Sequence, residues 1–313
     1  MADDAPPLRT WVFPILASLA IVLSFLYYSY SNSGPYAKTV ALSNKNLETA
    51  LIENTRDTSA LSIVIFGSSL TEHALVDPRA LEDSIYKLTS KKAKVLRVAL
   101  SYLTPRVAQD IDFFDYIVKY PPNYLFVENF SFNLTHGDTT ALTPDPINLA
   151  LLNVRNIIRN AIGKPGHDNY YVKWYTFDVK PQPGDIYYTH EFDSVMFKKL
   201  LHSKSSVRKM WQNNDINTAF NALAKNNTKV ILLDMPISKL FPHNFMDQQT
   251  ASELNKLLTV YKTQFHVDYW RFPYVMDNSF FTDGAHMNSK GGVQYQKWFV
   301  SEIAAKKCYE ATH

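Results

Sequence analysis

The sequence predicts an α/β fold with a mostly parallel sheet, because short apolar segments alternate with helical ones over most of the chain. Five segments have the β-branched and aromatic content of buried strands, namely residues 61–66, 95–100, 124–127, 230–234 and 265–270. Two intervening segments begin with Asp77-Pro78 and Thr104-Pro105, in which a capping residue precedes a proline at the first helical position. The 313 residues suit about two ordinary domains, or one α/β domain with a large insertion.

The composition excludes several classes of protein. With 46% apolar residues, the chain has enough apolar surface to bury a core and is not disordered. The single cysteine, Cys308, excludes an intrachain disulfide and any zinc or iron–sulfur site built on several cysteines. The net charge is only +3 and no dense block of lysine or arginine occurs, so we expect no nucleic-acid partner.

Residues 11–30 form an apolar segment without a charged residue. As a helix this segment is about 30 Å long, enough to cross the hydrocarbon core of a bilayer, and it carries aromatic residues at both ends. We therefore predict a short cytoplasmic tail at 1–10 and a transmembrane anchor at 11–30. A cleaved signal peptide is the alternative, since Arg9 precedes the segment, although no small-x-small cleavage site is evident after it. Arg9 also favours a cytoplasmic N-terminus and an extracytoplasmic domain.

The remaining chain divides into a linker and a large domain. Residues 31–60 are polar and predict a stalk with a helix near 46–54, and residues 61–313 predict the domain itself. About a hundred residues separate the third and fourth strands, which indicates an insertion at 135–215 with a helix at 147–162 and many aromatic residues. Either the insertion forms a cap or substrate groove, or it buries its aromatics in a small core of its own.

A serine pair follows the first predicted strand, in the sequence Gly67-Ser68-Ser69. Ligands of open parallel sheets bind beyond the carboxyl ends of the strands, so a serine in this turn is placed to act as a nucleophile. Gly67 allows the backbone to turn sharply, and an amide after the turn is placed to face a developing oxyanion. The alternative is ordinary turn chemistry, in which Gly and Ser are common. His73 either contacts a substrate or lies in a solvated loop.

A second motif lies near the C-terminus, where Asp283 and His286 are three residues apart just before the last amphipathic segment. A serine nucleophile needs a base, and the base needs a partner that sets its tautomer, so this spacing is suited to a carboxylate and imidazole pair. Alternatively, Asp283 caps the turn and His286 lies at the surface. No second histidine or carboxylate cluster is nearby to complete a coordination shell, so we expect neither a metal nor a cofactor.

Together the two motifs resemble those of the SGNH, or GDSL-type, hydrolase superfamily, over residues 61–305. The resemblance implies a flavodoxin-like three-layer α/β/α sandwich with about five parallel strands. It also implies that Ser69 is the nucleophile, His286 the general base and Asp283 the carboxylate that orients His286.

The middle motifs of that superfamily are altered in this chain. The superfamily usually has an oxyanion-hole glycine after the second strand, where this chain has Ser101, whose backbone amide is still a donor. It usually has an asparagine after the third strand, and here Asn129 or Asn133 takes that place.

The anchor and both end motifs are together similar to the D-alanine-transfer proteins of teichoic-acid modification and to the O-acetylation proteins of exopolysaccharide export. This resemblance implies transfer of an acetyl or D-alanyl group through an acyl-Ser69 intermediate to a hydroxyl of a cell-surface or exported polysaccharide. It also implies a membrane-bound O-acyltransferase (MBOAT) protein as the partner that donates the acyl group. Two alternatives stay open: an anchored esterase or lipase, and a non-catalytic polysaccharide-binding assembly factor.

Overall fold

The computed structural model describes residues 9–31, 34–100, 105–136, 154–155, 158–159, 162–163, 192, 205–207, 214–239, 247–306 and 308. The strands are β1 Leu61–Gly67, β2 Ala93–Ala99, β3 Tyr124–Glu128, β4 Leu134–His136, β5 Ser205–Val207, β6 Lys229–Leu233 and β7 Asp268–Trp270. The helices are α1 Arg9–Ser31, α2 Gly34–Thr55, α3 Ser69–Ala74, α4 Pro78–Thr89, α5 Pro105–Asp110, α6 Phe113–Lys119, α7 Asn129–Asn133, α8 Asn214–Lys225, α9 Gln248–Phe265 and α10 Ser289–Ala305. A short 3-10 helix, Asn278–Phe280, precedes α10.

The main sheet has five strands in the order β2-β1-β3-β6-β7, and all neighbouring strands are parallel. The predicted α/β class and parallel sheet are therefore confirmed, and the order is that of flavodoxin-like sheets when only these five strands are counted. The winding reverses between β1 and β3, and ligands of such sheets bind at the carboxyl ends of the strands at this switch point. The serine motif, which follows β1, lies at this edge.

Helices cover both faces of the sheet. Phe66 of β1 stacks on Phe113 of α6, with the ring centroids 3.7 Å apart. Phe126 of β3 contacts Phe299 of α10 edge to face, at 4.9 Å. Phe66 is paired with Val127, the next residue after Phe126, so Phe66 and Phe126 point to opposite faces. All residues of β1 and β3 are buried for this reason, which explains their continuous apolar runs.

The prediction of a stalk at 31–60 is wrong for the second half of that segment, which packs against the domain. The helix expected near 46–54 lies within α2, and Leu47, Ala50 and Leu51 on one side of this helix are buried in the core. Asn54 is also buried, and its side-chain amide donates to the Lys94 carbonyl at 3.0 Å. This part of α2 packs against the domain, because its apolar residues follow a helical period that the polar composition of the segment obscures.

The last strand is shorter than the sequence predicts. Residue 265 still belongs to α9, and His266 caps that helix in the left-handed conformation, with φ 54°. Because His266 reverses the chain there, only Asp268–Trp270 extends along β6.

The N-terminal helix α1 contains a span at Thr10–Tyr28 that is long and apolar enough to cross a membrane, with mean hydropathy 2.0 and none of its residues buried.

Most of the predicted insertion lies outside the described residues. The antiparallel pair β4 and β5 brackets it, and the described residues 154–155 and 158–159 are helical, as expected for the helix at 147–162. The two interpretations of the aromatic cluster stay predictions.

Candidate active site

The nucleophile turn is very tight. β1 ends at Gly67, Ser68 caps the next helix, and α3 begins at Ser69. A Cβ added to Gly67 would lie 1.9 Å from Thr71 Oγ1, far inside contact distance. Glycine is therefore required here for close packing, because the first turn of α3 folds directly over the end of the strand.

The structure brings the three predicted residues Ser69, His286 and Asp283 into one hydrogen-bonded line. Ser69 Oγ lies 2.8 Å from His286 Nε2, and His286 Nδ1 lies 2.7 Å from Asp283 Oδ2. A carboxylate accepts hydrogen bonds, so the ring proton lies on Nδ1 and Nε2 is left to accept the Ser69 hydroxyl proton. This is the arrangement of a nucleophile, a base and an orienting carboxylate.

The loop that carries Asp283 and His286 is held by buried residues on both sides. Phe281 and Met287 are buried and form a β-bridge, and Thr282 donates its amide to the His286 carbonyl at 2.8 Å. Asp283 Oδ1 accepts the backbone amide of His286 at 2.8 Å. The three-residue spacing thus lets one carboxylate organise the turn and orient the imidazole.

The pair is partly shielded from solvent, with 29% of the His286 side chain and 13% of the Asp283 side chain exposed. Burial by itself would raise the pKa of Asp283, but hydrogen bonds from the His286 ring and from backbone amides, together with the His286 charge, hold it below its ordinary value. Asp283 is therefore a carboxylate at neutral pH.

A second histidine, His73, lies beside the triad rather than in a solvated loop. Its Nδ1 donates to the Met287 carbonyl at 2.9 Å, and its ring centroid is 4.9 Å from that of His286. Burial, and then the unfavourable electrostatic interaction that a protonated His73 would have with His286, lower the pKa of His73 to about 4. His73 is therefore neutral at physiological pH and packs against the proposed base.

This pKa predicts acid sensitivity of the fold. Between the ordinary histidine pKa of about 6.5 and the folded value of about 4, the unfolded chain binds a proton that His73 in the folded chain does not, so stability falls as the pH falls through this range. The variant His73→Asn keeps a donor for the Met287 carbonyl but does not titrate. We expect wild type to lose on the order of 1 kcal/mol more free energy of unfolding than His73→Asn between pH 7.5 and pH 5. Urea unfolding in detergent at both pH values measures this difference, and equal losses would contradict it.

The predicted oxyanion residues have different surroundings. Ser101 lies outside the described residues. Asn129 and Asn133 are both buried, and Asn133 Nδ2 donates to Asn129 Oδ1 at 2.8 Å. Among the described residues, Asn129 also bonds to Asp234 at 3.5 Å, and Asn133 accepts the Tyr261 hydroxyl at 3.4 Å. None of these contacts involves Ser69, His286 or Asp283, and the oxyanion role of the three residues stays a prediction.

The backbone amide of Ser69 is placed differently. In the first turn of α3, the amide of Leu70 donates to Ser68 Oγ, that of Thr71 to Glu128 and that of Glu72 to the Ser68 carbonyl. Within the described part of the chain, the Ser69 amide has no acceptor. It is thus a donor next to the nucleophile that an oxyanion is able to use.

Two charged residues that the sequence analysis missed hold α3 at its ends. Glu128, at the end of β3, accepts hydrogen bonds from the first turn of α3. Arg97 of β2 donates to two carbonyls at the other end of that helix, those of Leu75 at 2.7 Å and of Glu72 at 3.3 Å. A carboxylate at the N-terminus and a guanidinium at the C-terminus both complement the helix dipole. The only sequence signal was a charged residue within, or directly after, a predicted apolar segment, at 95–100 and 124–127.

The comparisons with known proteins add little to this geometry. No family model matches the sequence, and no curated protein is significantly similar to it. A crystal structure from Bacteroides fragilis, described as that of a "putative acylhydrolase", aligns over 79% of this chain and 87% of that chain, with 14% identity and a TM-score of 0.36. A similarity this weak carries no functional argument.

Proposed function

We propose that this protein is a membrane-anchored, serine-dependent O-acyltransferase that acylates a hydroxyl of an exported or cell-surface polysaccharide. The observation that carries the proposal is the hydrogen-bonded line from Ser69 through His286 to Asp283. The apolar span in α1 supports the membrane anchor. We propose further that the catalytic domain lies on the extracytoplasmic side and that an MBOAT-type membrane protein supplies the acyl group.

In the first half-reaction, His286 Nε2 takes the proton of the Ser69 hydroxyl while Oγ attacks the acyl carbonyl carbon. The negative charge that develops on the carbonyl oxygen is stabilised by the Ser69 amide. The tetrahedral intermediate then collapses: the bond to the donor oxygen breaks, His286 gives its proton to that leaving oxygen, and acyl-Ser69 remains. Asp283 stabilises the imidazolium that exists between the two proton transfers.

In the second half-reaction, the acceptor hydroxyl loses its proton to His286 and attacks acyl-Ser69, which releases the acylated acceptor and returns the proton to Ser69. Water in place of the acceptor would give hydrolysis by the same steps. The choice between transferase and hydrolase is therefore a competition between two nucleophiles for one intermediate.

The test uses carbonate-washed membranes that contain the full chain, with p-nitrophenyl acetate as donor and a soluble oligosaccharide as acceptor. We expect the activity to stay in the washed membranes, and we expect mass spectrometry to find acetylated oligosaccharide in the presence of wild type but not of Ser69→Ala. Acetate as the only product would favour the anchored esterase. No nitrophenol release and no acyl-serine would favour the non-catalytic assembly factor.

A further inference from the structure

Glu128 lies directly beside the nucleophile turn although it is distant from it in sequence. It is the last residue of β3, which pairs with β1 so that Val127 is opposite Phe66. Glu128 is therefore next to Gly67, and only 1% of it is exposed. A Cβ on Gly67 would lie 2.9 Å from Glu128 Oε2, so the carboxylate also depends on glycine for its close approach.

The carboxylate of Glu128 is surrounded by donors. Oε2 accepts from the Ser68 amide at 2.7 Å, from Thr71 Oγ1 at 2.7 Å and from the Thr71 amide at 3.3 Å. Oε1 accepts from Ser68 Oγ at 2.8 Å and from the amide and hydroxyl of Ser131. Ser68 Oγ itself accepts the Leu70 amide, so its own proton is available to Glu128.

These contacts flank Ser69 on both sides. Glu128 holds the residue before the nucleophile and the residue two positions after it, while the Ser69 hydroxyl and amide make no hydrogen bond to Glu128 among the described contacts. The carboxylate engages two of the turn's backbone donors, those of Ser68 and Thr71, and leaves the Ser69 amide for the oxyanion. The turn is thereby fixed in advance, which lowers the reorganisation needed in the transition state.

We propose that Glu128 is a positioning residue for acyl transfer: through Ser68 and Thr71 it directs Ser69 Oγ to His286 and the Ser69 amide to the developing oxyanion. This inference rests on the proposed function. Glu128 is only 1% exposed, and none of its described hydrogen bonds is to His286, so we expect it to act on the rate of the chemical step rather than on binding.

The test is the reaction of Ser69 with a fluorophosphonate probe, with the full chain in detergent, resolved into a binding constant and a maximal rate of modification. In Glu128→Gln, an NH2 group replaces one carboxylate oxygen. This group is itself a donor, so it cannot accept the hydrogen bonds that the replaced oxygen receives from the amides and hydroxyls around it. We expect the maximal rate to fall roughly 10-fold to 100-fold, as for a nucleophile displaced by about 1 Å, while the binding constant changes less than about 3-fold.

A second pair of variants keeps the test valid if Glu128→Gln does not fold. Thr71→Val and Ser131→Ala each remove one hydroxyl that donates a hydrogen bond to the Glu128 carboxylate, but only Thr71 belongs to the nucleophile turn. We expect Thr71→Val to lower the maximal rate more than Ser131→Ala. Equal maximal rates for Thr71→Val and Ser131→Ala would overturn the inference. Where Glu128→Gln does fold, we also expect Thr71→Val to have a smaller effect in its presence, because both changes act through one contact.

Asn54→Ala is the control for a loss of stability alone. Asn54 is buried near the other end of β1, where its amide donates to the Lys94 carbonyl at 3.0 Å and its side-chain oxygen accepts from Ser62. We expect it to lower Tm without changing the maximal rate of the folded fraction.

Two further results would overturn the inference while leaving the proposed function intact: equal maximal rates for Glu128→Gln and wild type, or an equal loss of rate in Asn54→Ala at the same decrease in Tm. Failure of wild type to react at Ser69 would reject the proposed function, and the role of Glu128 with it.

Discussion

We expect the variant Ser69→Ala to lose covalent labelling by a fluorophosphonate probe and to cleave p-nitrophenyl acetate roughly 10⁴-fold to 10⁶-fold more slowly than wild type. The reason is geometric: Ser69 Oγ is the hydroxyl that lies 2.8 Å from His286 Nε2, so no other described serine takes over the attack. The fold should persist, since the Ser69 hydroxyl makes no other hydrogen bond among the described residues. Labelling is measured by mass spectrometry of the intact chain and of its peptides.

Two other serines serve as controls for this variant. Ser68 is the neighbour of Ser69, but its hydroxyl bonds to Glu128 instead of His286, so Ser68→Ala should still be labelled at Ser69, at a reduced rate. Ser301 is exposed on α10 and bonds to the Lys297 carbonyl at 2.8 Å, so Ser301→Ala should behave as wild type. Labelling of Ser69→Ala at Ser68 with unchanged turnover would show that the nucleophile is the other serine.

The variant Asp283→Asn should lower kcat/KM for the same ester by roughly 10³-fold to 10⁴-fold. In the structure, Asp283 Oδ1 accepts the backbone amides of Ala285 at 3.1 Å and of His286 at 2.8 Å. The asparagine oxygen would still accept both, so the loop should keep its shape. Its NH2 group would then face His286 Nδ1, which must become an acceptor. The ring proton would move to Nε2, which would no longer accept the Ser69 proton.

Asp277→Asn is the matched control for Asp283→Asn. Asp277 also caps a short helix in the preceding loop, through the Ser279 amide at 3.1 Å, and it is paired with the exposed Lys239. It makes no described contact with the triad, so its variant should retain wild-type activity. Similar rates for Asp283→Asn and Asp277→Asn would show that Asp283 does not orient the base.

The features that could be predicted from the sequence are those encoded by residues close together in it. The strands were recognisable because β1 and β3 are buried on both faces and therefore carry continuous apolar runs. Asp283 and His286 were recognisable as a pair because they lie three positions apart in a single turn. The packing of α2 against the sheet was missed, because Leu47, Ala50 and Leu51 lie among many polar residues.

The sequence by itself thus determined the alternation of strands and helices, the apolar N-terminal segment and the residue types of the triad. The family resemblance already implied Ser69 as the nucleophile, but only the tertiary structure brings its hydroxyl within 2.8 Å of His286, 217 positions away. It also decided the place of Glu128, which meets Ser68 across 60 positions because β3 pairs with β1 in a particular register. Such contacts depend on the parallel pairing of distant strands, which local propensity and spacing do not specify.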